Sequence, residues 1–252
     1  MVDSRGLRSQ YPLNKEIPGA IRFIGGSMNI AIDGPAGAGK STIAKLVAKN
    51  LGSIYVDTGA MYRAMALFMI KNNVDPKNIE AIEKTCENAD ISIVYEDGAQ
   101  HVILNGEDVT PFLRTEEVGN MASVSSANQC VRTKLVALQQ KLAKTTSVVM
   151  DGRDIGTVVL PDAECKIYLT ASTHTRALRR YKELLEKAGG DKSKVAALEE
   201  IEKDIADRDY RDMHREHSPL MQAKDAHLVD SSDMTIDEVV REIMSIAKDS
   251  FK

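Results

Sequence analysis

The stretch IAIDGPAGAGKSTIA, residues 30–44, constrains the fold more than any other in the chain. Gly34 is followed, after four residues, by Gly39, Lys40 and Ser41. An apolar run, Met28–Asp33, precedes this loop, and Ile43, Leu46, Val47 and Leu51 follow it at helical spacing. Strand, glycine loop, helix is the context that a phosphate-binding loop requires. Gly34, Gly37 and Gly39 permit backbone conformations that a side chain forbids. Successive N–H groups then turn inward onto phosphate oxygens, and the helix adds its positive end. Lys40 is placed to reach the β- and γ-phosphates, and Ser41 to ligate Mg²⁺. The chain is therefore expected to bind a nucleoside triphosphate.

Composition narrows what else the chain could be. At 252 residues, 43% of them hydrophobic, it is long enough for one large α/β domain with insertions. A formal charge of −4 argues against nonspecific nucleic-acid binding. Cys86, Cys130 and Cys165 are far apart and odd in number, which fits a reducing cytoplasm and neither a disulfide framework nor a zinc site. The histidines show no metal-ligand spacing beyond a weak His214-x-x-His217. No stretch approaches the length of a membrane span, and no secretory pattern is evident. Residues 1–27 lack periodicity and hold Pro12, Pro18 and GGS, so they are expected to be a disordered leader or tag, with a single domain over 28–252.

Along that domain, short apolar runs alternate with helical patterns. Strands are expected at 53–57, 147–151, 166–170 and 227–230 besides the first. Helices are expected at about 60–71, 75–88, 115–144 with a break near 125–128, from 172 to the Gly189-Gly190 break, 195–214, and after the capping box Thr235-x-x-Glu238. On the last helix Ile236, Val239, Val240, Ile243 and Ile246 mark one face. Five buried strands alternating with helices imply a parallel sheet with right-handed crossovers. The segment ISIVYEDGAQHVILNGEDVT breaks that alternation and reads as an antiparallel insertion turning at 96–100 and at Asn105-Gly106.

Arginines gather where such sheets place ligands, at the carboxyl ends of strands. Arg63 lies in DTGAMYR, Arg153 in DGRDIG, and Arg208, Arg211 and Arg215 in DRDYRDMHRE. Bidentate arginines neutralise a phosphate that must be approached by another phosphate. Asp151, after an apolar strand, could hold Mg²⁺ as a Walker-B-type aspartate does, with Asp33 the alternative. Lys166 and Lys182 read as solvated.

GPAGAGKS, DTGAMYR, GEDVT, RTEEV, DGRDIGTVVLPDA, KIYLTAS, RDYRD and SPL…A…LVDSS occur in this order. Together they resemble bacterial cytidylate kinases, P-loop nucleoside monophosphate kinases, from Met28 to the C-terminus. The resemblance implies an α/β P-loop NTPase fold. It divides the domain into a core (28–59, 145–170, 218–252), a monophosphate-binding insertion (about 60–144) and a helical lid (about 172–195). It implies Mg²⁺-dependent transfer from ATP to CMP and dCMP, in pyrimidine metabolism. Gly34, Pro35, Ala36, Gly37, Ala38, Gly39, Lys40, Ser41 and Thr42 would hold ATP. Arg63, Arg153 and Arg215 would hold the acceptor phosphate, Arg208 and Asp212 the sugar, and Ser123, Arg132 and Asp154 the cytosine. Thr58, where the family usually has serine, keeps the hydroxyl of that substrate-binding position. Lys40, Arg153, and the lid residues Arg176 and Arg180 would act on the transferring group. Cytosine offers O2 and N3 as acceptors and its 4-amino group as donor, a polarity that Arg132, Ser123 and Asp154 match and uracil reverses. Nothing demands more than a monomer, and no nucleic-acid or membrane partner is implied.

Two other readings stand beside this one. A nucleotide-switched GTPase would need Asn-Lys-x-Asp, and NKEI at 14–17 lacks the aspartate. A kinase of another small molecule, such as shikimate or thymidylate, is opposed by DGRDIG and the hairpin insertion. Phosphoryl transfer to a phosphate oxyanion needs no general base, so no catalytic dyad is expected.

Overall fold

The computed structural model describes residues 28–96 and 98–251; the expected leader, 1–27, lies outside them. Strands β1 (Asn29–Asp33), β2 (Ile54–Asp57), β6 (Val148–Gly152), β7 (Cys165–Thr170) and β8 (His227–Asp230) form a five-stranded sheet in the order β2-β6-β1-β7-β8. Every pairing in it is parallel. Strands β3 (Ile91–Glu96), β4 (Ala99–Leu104) and β5 (Glu107–Asp108) form a separate antiparallel sheet. The expected architecture is therefore present.

Period-two alternation explains how the large sheet buries both faces. Ile30, Ile32, Val149, Ile167 and Leu169 point to one side, where α1 (Lys40–Leu51) and α8 (Ile236–Ser250) cover them with Ile43, Val47, Val239 and Ile243. Ala31, Val56, Val148 and Met150 point to the other, against Met61, Met65 and Met69 of α2 (Thr58–Lys71) and Leu135 of α5 (Gln129–Thr145). Each such fully buried aliphatic side chain contributes about 1.5–3 kcal/mol. A third small cluster, Ala177, Ile201 and Ile205, joins α6 (Thr173–Lys187) to α7 (Leu198–His214).

Capping side chains set the helix limits. Asn128 accepts from the N–H groups of Cys130 and Val131 and so starts α5 afresh after α4 (Glu116–Ser125), which is the expected break. Helix α3 (Ile79–Glu87) begins later than Asp75-Pro76 suggests, because Asn78 caps it and Asp75 only closes a turn on Lys77. The Thr235–Glu238 capping box forms, but Ile236 sits at its first turn facing solvent, and Ala247 completes the buried face instead. Lys166, expected in solvent, is buried, with its ammonium held by the Pro161 carbonyl and by Asp225 at 2.7 Å.

Between β2 and β6 the chain inserts α2, α3, the antiparallel sheet, α4 and α5. The small sheet meets the large one at the end of β2. Gln100 pairs both its amide atoms with the Asp57 backbone, at 2.8 and 3.1 Å, and the Tyr95 hydroxyl donates to the Tyr55 carbonyl.

Candidate active site

The loop after β1 lies against β7. Gly34 has φ +149, and a Cβ there would stand 1.9 Å from the Leu169 carbonyl oxygen, so only glycine fits. Gly39, the residue just before α1, adopts the left-handed conformation, and the helix N-terminus receives no side-chain cap. That leaves the opening N–H groups of the helix facing the loop's concavity, an anion-binding arrangement. Lys40 is buried beneath it and donates to the Pro35 carbonyl at 2.6 Å. Burial, followed by repulsion from Arg153, pulls its ammonium well below its usual range.

Register brings carboxylates to one edge. Asp57 stands level with Asp151, and Asp33 one residue beyond. Asp151 accepts from the Ser41 and Tyr55 hydroxyls, each at 2.8 Å. Burial, then the nearby Asp57 charge, pushes Asp151 above the usual carboxylate range, and it makes no ion pair among the described residues. An oxygen-only set of one hydroxyl and one undercompensated carboxylate fits Mg²⁺. Asp33, the other candidate ligand, differs. Its two oxygens accept the N–H groups of Ile155 and Gly156 at 2.8 and 2.7 Å, anchoring the single π-helical turn Ile155–Val159. Burial raises it to about 6, against the lowering effect of those same N–H groups. Its lone pairs are directed at that turn, whereas Ser41 and Asp151 present oxygens that could hold a metal ion.

A cationic group faces this edge. Arg153 follows β6 and donates to Asp212 of α7 at 2.8 Å. Gly152 before it leaves no room for a side chain, since a Cβ would meet Ile155 at 2.6 Å. Arg208 is pulled down to about 10 by burial first and then by Arg153, and Arg63 is lowered by burial and by Arg114 and Arg153 while Asp57 opposes the fall. Asp212 is affected by burial, which raises it, and by Arg153, Arg208 and Arg215, which together take it below its ordinary value. Thr58 is buried and donates to the Asp151 carbonyl at 2.6 Å, which commits its hydroxyl proton to the strand end.

Arg132, Asp154 and Arg215 form a second, buried network. Arg132 of α5 pairs with Asp154, donates to the Ser218 hydroxyl at 3.1 Å, and lies over the Tyr62 ring. Arg215 approaches the other Asp154 oxygen at 3.4 Å and donates to the Ser218 carbonyl at 2.6 Å. Asp154 therefore partners these two arginines and not its neighbour Arg153. Ser123, half-buried on α4, has no hydrogen bond to Arg132 or Asp154 among the described residues; Arg132 reaches Ser126 instead, at 3.4 Å.

The two arginines expected in the lid part company. Arg180 is exposed and pairs with Glu183 at 2.9 Å. Arg176 is buried, and its guanidinium is spent on Ala36, Ala171, Thr173 and Asp209. That arrangement makes it a strut of the loop. Sequence reasoning missed Tyr55, Asp57, Arg114 and Asp209. Asp57 caps α2 through the Ala60 N–H and takes Arg114 at 2.9 Å; its only signal is its position at the end of SIYVD.

The sequence profile of the cytidylate kinase family matches residues 30–249. Cytidylate kinase of Ligilactobacillus salivarius is 52% identical over 222 residues, 88% of this chain and 97% of that protein. That of Caldicellulosiruptor saccharolyticus is 51% identical over 219 residues, 87% and 95% of the two chains. That of Bacillus cereus is 47% identical over 224 residues, 89% and 97%. Relatives half identical over nearly their whole length, matched across the phosphate loop, the arginine cluster and the sheet that carries them, lead to one conclusion: the chain belongs to the cytidylate kinase family and is a phosphotransferase.

Proposed function

We propose that the enzyme transfers the γ-phosphoryl group of ATP to CMP and dCMP, with Mg²⁺, yielding CDP and dCDP for pyrimidine nucleotide metabolism. The observation that carries this reading is the cationic cluster of Lys40, Arg63, Arg153 and Arg208 at the strand ends, where burial first and neighbouring cations second lower the proton affinity of Lys40, Arg63 and Arg208. Such mutual repulsion is compensated by a polyanion, and two phosphate groups meeting in line supply one.

Lys40 and the N–H groups of residues 37–42 hold the donor phosphates, while Arg63, Arg153 and Arg215 take the acceptor phosphate and reduce its repulsion. The Ala36 N–H already binds Asp209, so Ala36 shapes the cradle from its outer side. Ser41 and Asp151 would hold Mg²⁺, which neutralises charge on the donor phosphates. The acceptor oxyanion attacks directly, so no residue need remove a proton. Arg180 can leave Glu183 for the transferring group at little cost, because an exposed pair is worth about 0–1 kcal/mol. Arg132, Asp154 and Ser123 would read cytosine, and Arg208 and Asp212 the sugar. The division into a core, an insertion at about 60–144 and a lid at about 172–195 follows the chain's topology, and the enzyme works as a cytoplasmic monomer. Among the described residues no helix is long and apolar enough to cross a membrane.

An ATP-coupled assay across CMP, dCMP, UMP and AMP tests the reading. CMP and dCMP should be preferred, and Lys40→Ala should abolish transfer while circular dichroism stays native. Equal turnover of AMP, or near wild-type activity of Lys40→Ala, would overturn it.

A further inference from the structure

One turn of α7 touches both sides of the site. Asp209 and Asp212 lie three residues apart on the buried face of that helix. Asp212 takes Arg153, which belongs to the acceptor side. Asp209 turns to the phosphate loop: its Oδ1 accepts the Ala36 N–H at 3.3 Å, and its Oδ2 accepts from Arg176 at 2.6 Å. The same Arg176 nitrogen also donates to the Ala36 carbonyl at 2.9 Å. Both polar backbone groups of Ala36 are thus clasped by one buried ion pair. The remaining Arg176 donors go to the Ala171 carbonyl at 2.9 Å and the Thr173 hydroxyl at 3.1 Å, fixing the pair to the end of β7 and the start of α6. The loop packs closely on this strut, since a Cβ at Gly37 would stand 3.4 Å from Cβ of Arg176.

We propose that Asp209 is a positioning residue that sets the shape of the phosphate loop from α7, and that through this helix turn the acceptor pocket and the donor loop are energetically coupled. The proposal rests on the donor and acceptor reading given above. Its physical basis is direct. The loop can cradle phosphate only with its N–H groups held inward, and holding Ala36 at both its N–H and its carbonyl fixes the two peptide planes on either side of its Cα. Asp212 sits less than one turn away on the same rigid element. An acceptor that draws Arg153 toward its phosphate changes the load on Asp212, and the turn passes that change to Asp209. Coupling of this kind is reciprocal between the two ligands.

The test is equilibrium binding of the non-transferable β,γ-imido analogue of ATP, with and without saturating CMP, to wild type, Asp209→Ala and Asp209→Asn. In wild type, CMP should change the analogue's Kd by about fivefold or more, the low end of ordinary coupling. In Asp209→Ala the analogue alone should bind about tenfold more weakly, CMP alone should bind within about twofold of wild type, and the effect of CMP on the analogue should vanish; this uneven loss is what general destabilisation would not give. Asp209→Asn keeps an oxygen for the Ala36 N–H and should recover most of the analogue's affinity, and it serves as the folded variant if the alanine form does not fold. Wild-type analogue affinity in folded Asp209→Ala overturns the positioning role, as does Asp209→Asn with neither affinity nor coupling affected when the alanine form is unfolded. Coupling that survives in a folded variant with weakened analogue binding overturns the link to the acceptor side. A wild-type protein that fails to bind CMP contradicts the acceptor reading instead, and the analogue affinities alone still decide the clasp.

Discussion

Removing the carboxylate of Asp154 should damage both stability and base choice, by amounts that the geometry sets. Asp154 is buried between Arg132 and Arg215, with Arg215 at 3.4 Å. At an effective dielectric of about 20, one charge pair at that separation attracts by about 5 kcal/mol before desolvation is counted. Deleting one partner of a buried pair costs about 3–5 kcal/mol, because the surviving charge stays buried. Asp154→Ala leaves two guanidinium groups facing one gap, so the upper part of that range applies. For a chain of this length each kcal/mol lowers Tm by about 2–4 °C, giving a fall of about 8–20 °C. Asp154→Asn preserves shape and one acceptor oxygen and should fall by less. Its amide can also donate, so the preference for CMP over UMP should shrink by about 1–3 kcal/mol, or about 5–150-fold in the ratio of kcat/KM. Asp154→Ala should lose CMP turnover without gaining UMP. Calorimetric scans and steady-state kinetics on both nucleotides read these effects. If Asp154→Ala melts within about 2 °C of wild type, the ion-pair reasoning is wrong. If both nucleotides decline alike in Asp154→Asn, the residue acts only through Arg215 on the phosphate that they share.

Two further outcomes follow from the strand ends. Gly34→Ala should give no folded protein, because the new methyl would overlap the Leu169 carbonyl; a native circular dichroism spectrum with wild-type Tm would contradict the contact between the loop and β7. Asp33 is raised from an ordinary 3.8 to about 6, so the folded state binds the extra proton between these values. The stability it contributes is fully present below about pH 4 and lost as pH rises through about 6, a change of about 3 kcal/mol. Denaturant titrations of wild type minus Asp33→Asn should show that downward slope, and a carboxyl titration midpoint near 4 by NMR would refute it.

The parallel sheet was legible because buried strands and amphipathic helices leave periodic traces, and GPAGAGKS carries its own geometry. Helix starts were legible only where the cap was local: Thr235–Glu238 declared itself, whereas Asn78 competed with the stronger-looking Asp75-Pro76. What the sequence hid was long-range partnership. Arg176 lies among Arg179 and Arg180 on a basic helix, and nothing local reveals that Asp209, 33 residues on, holds it under the loop. Lys166 looked solvated because its partner Asp225 is 59 residues away. Asp33 and Asp151 end similar apolar strands, and only the fold shows that one faces peptide N–H groups and the other faces hydroxyls.

Asp57, at the end of the neighbouring strand, adds a third carboxylate to this pair. Three aspartates stand within one residue of the same level on three adjacent strands, a crowding of like charge that the sheet does not by itself offset. One is quenched by a helical turn, one by a helix cap and Arg114, and Asp151 is left the least balanced. Under the proposed Mg²⁺ reading, selectivity for a divalent ion would arise by subtraction: the neighbours remove two candidates, and the remaining charge marks where the ion would go. The affinity of the third position would then be an inherited quantity, adjustable from Arg114 or from the Ile155–Gly156 peptide without altering a single ligand.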